Sequence, residues 1–124
     1  MYLWVDKKIA MKKVYILDAL RTPIGRYGGG LSSVRPDDLL ALAIKGLMDR
    51  NPLIQGDMVE DVIMGGANQA GEDNRNVARM SLLLAGLPNE VGGVTVNRFC
   101  ASSMQAIHQA AGAIHSGAGD LFIA

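Results

Sequence analysis

The sequence predicts an α/β fold in which strands and helices alternate and parallel strands are joined by right-handed crossovers. Three observations carry the prediction. Short apolar runs stand at VYILDA (14–19), VEDVIM (59–64), VTV (94–96) and LFIA (121–124), the length expected of strands. Stretches with apolar residues at helical spacing lie between them, set off by turns bearing Gly and Pro. Finally, Phe99 to Gly119 has no charged side chain and is rich in Ala, Gly and Ser. A helix there lacks the long charged residues of a solvated face and suits burial between two layers, of which this chain supplies one.

Taken in order, Val14–Ala19 is a near-continuous apolar run, as expected of a strand covered on both faces. The Gly- and Ser-rich loop TPIGRYGGGLSSVR follows; it lacks the Lys-Ser/Thr of a phosphate loop, and Gly25 to Gly30 read as turn residues. Pro36, Asp37 and Asp38 suit a helix start, where Pro fits the first turn and carboxylates meet the positive dipole end. Leu39, Leu40, Ala43, Ile44, Leu47 and Met48 then give one buried stripe, so the helix runs from Pro36 to about Arg50. Val59–Met64 reads as the second strand, closed by Gly65 and Gly66. The polar segment GANQAGEDNRN is a loop, and NVARMSLLLAGLP is a helix stopped by Gly86 and Pro88. Val94–Val96 is a short third strand. A helix follows Cys100 to about Ser116 with Gly117 as its cap, and Leu121–Ala124 opens a fourth strand.

With 124 residues, 49% of them hydrophobic and 19% charged, the chain has the means to bury one domain core. Twelve basic and twelve acidic residues cancel, which argues against nucleic acid or an anionic membrane as the main partner. MYLWVDKKIA is broken by Asp6, Lys7 and Lys8 and makes a poor signal peptide, and no stretch is long and apolar enough to span a bilayer. A cytoplasmic location is expected. Met11-Lys12-Lys13 resembles a start, so residues 1–11 read as an extension and 12–124 as one domain, cut at its C-terminal end inside an apolar run.

Cys100 is the single cysteine, so neither an intrachain disulfide nor a thiolate metal site is available. A thiol between a strand and a helix meets unpaired backbone N–H groups and the positive dipole end, which favour the thiolate. The same amides suit an oxyanion, and Ala101, Ser102 and Ser103 leave room for a substrate carbonyl. The competing reading is a small buried core residue, the commonest role of a free cysteine. A base does not follow from the sequence: His108 is eight residues on, about 12 Å along a helix and roughly 80° around it, and His115 is farther. Glu72, Asp73, Arg75 and Arg79 read as a solvated or interface charge cluster and not as an acid–base pair, and Met80 and Met104 as core fillers.

NRFCASSMQA resembles the acyl-enzyme signature of the thiolases. VYILDALRTPIGRYGGGLSSVRPDDL is similar to that family's first strand, loop and helix, GGANQAGEDNRNVARMSLLLAGLP to its next strand and helix, and GAGDLFIA to the strand after its catalytic helix. The resemblance covers about Lys12 to Ala124. It implies a five-layer αβαβα fold in the complete protein, with Cys100 as the acyl-accepting nucleophile and its backbone amide as one oxyanion donor. It further implies coenzyme A thioesters as substrates with no bound cofactor or metal, and a homodimer or homotetramer with GEDNRNVAR near the subunit interface. The family's histidines and second cysteine match nothing in this sequence, so turnover is not expected of residues 12–124 alone. GRYGGGLSSVRPDDL and NQAGEDNRNVAR resemble thiolases acting on 3-oxoadipyl-CoA. CASSMQAIHQAA, with Ser103 where many relatives have Gly, resembles the fatty-acid β-oxidation enzymes. The alternatives are a truncated product or subunit-pairing module without catalysis, a decarboxylating condensing enzyme, which NRFCASSMQ fits less well, and a redox sensor resting on Cys100 alone.

Overall fold

The computed structural model of the chain describes residues 12–73 and 75–124; the extension read at residues 1–11 lies outside them. Three helices, α1 (Pro36–Arg50), α2 (Val77–Leu84) and α3 (Ser102–Ser116), alternate with three strands, β1 (Asp61–Gly65), β2 (Gly92–Val96) and β3 (Phe122–Ile123). The strands form one parallel sheet in the order β2-β1-β3. Asp61 pairs with Gly92 and Gly65 with Val96 on one edge, and Asp61 with Phe122 on the other.

β1 is therefore central, and its pleat divides the core. Val62 joins Ile44 of α1 and Leu82 of α2, with Val59, Leu87, Val91 and Ile123, in one buried cluster. Its neighbour Ile63 points to the opposite face and meets Ala106 and Ala110 of α3. The result is three layers, with α1 and α2 on one face and α3 on the other, and β1 apolar on both sides as a covered parallel strand requires.

Local chemistry starts α1 and α2. At α1, Pro36 occupies the first turn and Asp37 accepts the Asp38 amide at 3.1 Å. Asp37 is only 5% exposed, and Arg35 meets it twice, Nε to Oδ1 at 3.1 Å and Nη2 to Oδ2 at 3.0 Å. At α2, the Asn76 side chain accepts the Arg79 amide at 3.3 Å and the Thr95 hydroxyl at 2.9 Å, and donates to the Gly93 carbonyl at 2.8 Å. Thr95 in turn accepts the Ala78 amide at 3.1 Å. This cap thus doubles as a clasp between α2 and β2. A Cβ at Gly93 would stand 2.8 Å from both Arg79 Cα and Leu82 Cδ2, so the strand is bare where the helix crosses it. α3 ends where expected, with Gly117 in the left-handed region at φ +78°.

The strand predicted at Val14–Ala19 is not formed. Residues 12–26 belong to no helix or strand, and Tyr15, Ile16 and Leu17 are exposed, Ile16 at 80%. An apolar run satisfies the side-chain requirement for a strand, but a strand exists only where its backbone enters a ladder, and this segment pairs with neither outer edge of the sheet, that of β2 or that of β3. The segment is moored instead to the end of α1, where Asp18 accepts Arg50 Nη2 and Asn51 Nδ2, each at 2.9 Å. The remaining predicted elements are present. β1 and β2 are displaced by one or two residues, and a 3₁₀ turn at Gly71–Asp73 interrupts the polar loop.

Arg35 holds the Asp37 carboxyl below its ordinary pKa, chiefly by hydrogen bonding and then by charge. A carboxylate with a depressed folded pKa stabilises the fold above its unfolded pKa of about 4, and that stability is lost as pH falls through the folded value. Arg35→Gln should therefore lower the urea midpoint at neutral pH, and the difference from the parent should close below about pH 4. A difference that stayed constant down to about pH 2 would contradict this assignment.

Candidate functional site: the turn carrying Cys100

Five residues, Asn97 to Ala101, connect β2 to α3, and side chains at both ends of the turn shape it. Asn97 Oδ1 accepts the Phe99 amide at 2.9 Å, while its Nδ2 donates to the Ala67 carbonyl at 3.0 Å and ties the turn to the loop after β1. The Ser102 hydroxyl accepts the Arg98 amide at 2.8 Å and donates to the Phe99 carbonyl at 2.6 Å. The Ser102 amide also donates to that carbonyl, at 3.1 Å, and the Ala101 amide donates to Arg98 at 3.1 Å. The reversal places Phe99 at φ +49°, a left-handed conformation costing a bulky residue about 1–2 kcal/mol. It is the one non-glycine residue with positive φ among those described.

Cys100 follows Phe99 and is free and exposed. Its exposure removes the reading of a buried core residue. The thiol stands two residues before the first residue of α3, on the turn and not within the helix. Beneath it the helix rests on the sheet: a Cβ at Gly65 would fall on the Ser103 amide nitrogen and come within 2.5 Å of the Ser102 carbonyl carbon. Gly65 thus lets the start of α3 touch the end of β1. Ser102 is 4% exposed at that contact.

The structure does not bring the histidines to the thiol. His108 is exposed on α3, and His115 Nε2 lies 2.9 Å from the Lys12 carbonyl at the far end of that helix. Two members of the expected charge cluster part. Glu72 pairs with Arg35 at 3.5 Å, whereas the Arg79 guanidinium donates to the Val91 carbonyl at 2.6 Å and the Asn89 carbonyl at 3.0 Å. Backbone carbonyls after α2 outcompete the acids because the helix delivers Arg79 directly over them. Met80 and Met104, expected as core fillers, are exposed. Among the described residues no group of His, Cys, Asp or Glu is arranged to hold a metal, and no helix is long and apolar enough to cross a membrane. A separate apolar cleft of about 600 Å³ lies between residues 12–20, α1, α3 and β3, lined by Val14, Ile16, Leu40, Leu47 and Ile114 among others; Cys100 is not part of it.

Sequence reasoning singled out Cys100 but not the residues that shape its turn, Asn97, Ser102 and Gly65. The signal was present, since Asn and Ser beside a turn commonly bond nearby backbone groups. What the sequence could not show was that Gly65, 37 positions before Ser102, lies beneath it.

The fold and site define an α/β domain that presents an exposed thiol between a sheet strand and a helix lying across that sheet. Residues 14–124 match the thiolase N-terminal domain, and the chain belongs to the thiolase family. It is similar to the 3-oxoadipyl-CoA/3-oxo-5,6-dehydrosuberyl-CoA thiolase of Escherichia coli (strain K12), with 59% identity over 92% of this chain and 28% of that protein. Beta-ketoadipyl-CoA thiolase of Acinetobacter baylyi is 61% identical over the same shares. The 3-ketoacyl-CoA thiolase of Idiomarina loihiensis is 48% identical over 92% of this chain and 30% of that one. The crystal structure of Bacillus anthracis acetyl-CoA acetyltransferase superposes with a TM-score of 0.74 at 37% identity, covering 81% of this chain and 25% of that one. The chain thus spans little more than a quarter of these relatives.

Two outcomes follow from this geometry. Gly65→Ala should push the start of α3 off β1 and cost about 1–3 kcal/mol in unfolding free energy, as overpacking does; an unchanged denaturation midpoint would refute the contact. Iodoacetamide should label Cys100 in the folded protein, read as a single adduct on its tryptic peptide. Labelling that requires denaturant would contradict the exposed thiol.

Proposed function

We propose that the natural polypeptide containing this segment is a thiolase that cleaves a 3-oxoacyl-CoA with coenzyme A, and that Cys100 carries the acyl group. The observation that carries this reading is the exposed thiol on a braced turn between β2 and α3, within a chain matching the thiolase N-terminal domain. The Cys100 thiolate attacks the 3-oxo carbonyl and the bond between C2 and C3 breaks. Acetyl-CoA departs with that electron pair and takes a proton at C2. Coenzyme A then gives up its thiol proton, which balances the one taken at C2, and its sulfur attacks the Cys100 thioester; the bond from the acyl carbon to Cys100 breaks, the acyl group leaves on coenzyme A, and the thiolate is restored. The Cys100 amide serves as one oxyanion donor. Residues 12–124 by themselves hold the nucleophile without turnover, since neither His108 nor His115 is bonded to it.

A 3-oxoadipyl-type substrate is favoured. Relatives named for 3-oxoadipyl-CoA or beta-ketoadipyl-CoA are 58% to 61% identical, against 48% for the relative named 3-ketoacyl-CoA thiolase. The same reading has residues 12–124 as the N-terminal domain of a cytoplasmic homo-oligomer.

Cys100→Ser in the natural polypeptide should remove the acyl-enzyme seen by mass spectrometry and lower turnover at least about a thousandfold, the scale of losing a nucleophile. Turnover retained near the parent rate would overturn the assignment. A higher kcat/KM for 3-oxoadipyl-CoA than for an unsubstituted 3-oxoacyl-CoA of equal length supports the substrate reading, and the reverse order refutes it.

A further inference from the structure

We propose that Ser102 is a positioning residue that aims and polarises the backbone amide of Cys100, acting through the Phe99 carbonyl. The inference rests on the reading of Cys100 as the acyl acceptor and extends it to the turn that holds it. The Phe99 carbonyl and the Cys100 N–H belong to one peptide unit. No cis peptide is present among the described residues, so in this planar trans unit the two bonds point in opposite directions. Whatever fixes the Phe99 oxygen therefore fixes the Cys100 N–H.

Ser102 fixes that oxygen twice, with its hydroxyl at 2.6 Å and its amide at 3.1 Å. The hydroxyl in turn accepts the Arg98 amide at 2.8 Å, so one oxygen atom bridges the peptide units before and after Phe99. Because Ser102 is buried against the end of β1, the Phe99 carbonyl is turned toward the protein. The Cys100 N–H is turned the opposite way, toward the exposed side where its thiol stands. Two donors on the carbonyl also draw electron density from the amide nitrogen, which strengthens the N–H as a donor. The left-handed φ of Phe99 makes this brace necessary, because an aromatic residue leaves that conformation unless its peptide units are held.

Carbonyl chemistry at Cys100 uses an oxyanion donor, whereas alkylation of the same sulfur by iodoacetamide develops no oxyanion. The two reactions therefore separate aiming of the amide from general support of the thiol. In the natural polypeptide, Ser102→Ala should lower the rate of Cys100 acylation about tenfold to a hundredfold, below the loss for deleting an oxyanion donor outright. The effect should fall on kcat with KM little changed, and iodoacetamide alkylation at Cys100 should stay within about threefold of the parent.

Acylation by Ser102→Ala within about threefold of the parent would overturn the proposal. Acylation and alkylation falling together would overturn it too, since that marks plain loss of structure. Should Ser102→Ala fail to fold, Ser102→Cys replaces it as a variant of similar shape with a weak S–H donor, and the same split is required, with the alkylated sulfur assigned to Cys100 and not to position 102 by fragment ions of the peptide that begins at Phe99. Cys100→Ser keeps the two readings apart. An active Cys100→Ser variant sinks the acyl-acceptor reading itself, whereas an inactive one beside a fully active Ser102→Ala variant sinks only the role of Ser102.

Discussion

The contact of bare backbone at the end of β1 with the first turn of α3 is the constraint on which the rest of the site depends. Gly65 leaves no space for even a methyl group against Ser102 and Ser103, and protein interiors do not yield cheaply to added volume. With the helix start fixed there, the turn from β2 must reach it in five residues, and it does so by taking Phe99 into the left-handed region. The exposed position of Cys100 is a consequence of that geometry. The thiol is displayed because the residues on either side are committed elsewhere: Phe99 to the reversal, Ser102 to the buried contact.

The polar groups around the sheet share one design. Asn76, Thr95 and Arg79 on one side and Asn97 and Ser102 on the other all bond backbone groups that the ends of helices and strands leave open. Each such bond contributes about 1 kcal/mol net, less than the burial of one large apolar side chain such as Leu82. Their value is in direction. The apolar clusters on the two faces of β1 hold the layers together without specifying angles, and the polar clasps specify where each helix begins. Arg35 and Asp37 act in the same way at α1, where the ion pair serves mainly to keep a buried carboxylate satisfied.

Regular elements were legible wherever their signal was local. Pro36, Asp37 and Asp38 announce α1, the stripe from Leu39 to Met48 gives its length, and Gly117 announces the end of α3. The extended run at Val14–Ala19 was misread because being a strand is not a local property. Its residues have the right composition, yet Asp18 ties it to Arg50 and Asn51 and its backbone joins no strand of the sheet. Arg79 leaves the expected charge cluster for a related reason, as sequence proximity placed it with Glu72 while the helix carried it to the carbonyls of Asn89 and Val91.

By itself, the sequence determined the alternation of helices and strands, the single thiol with its small neighbours, and a family signature spanning most of the chain. These are encoded in residue types at short spacing, where propensity, periodicity and covalent geometry suffice. Only the tertiary structure decided which strands pair, that Cys100 is exposed, and that Asn97, Ser102 and Gly65 support it. Those facts depend on contacts between residues far apart in the chain, whose distances are set by packing the whole domain and by no local rule.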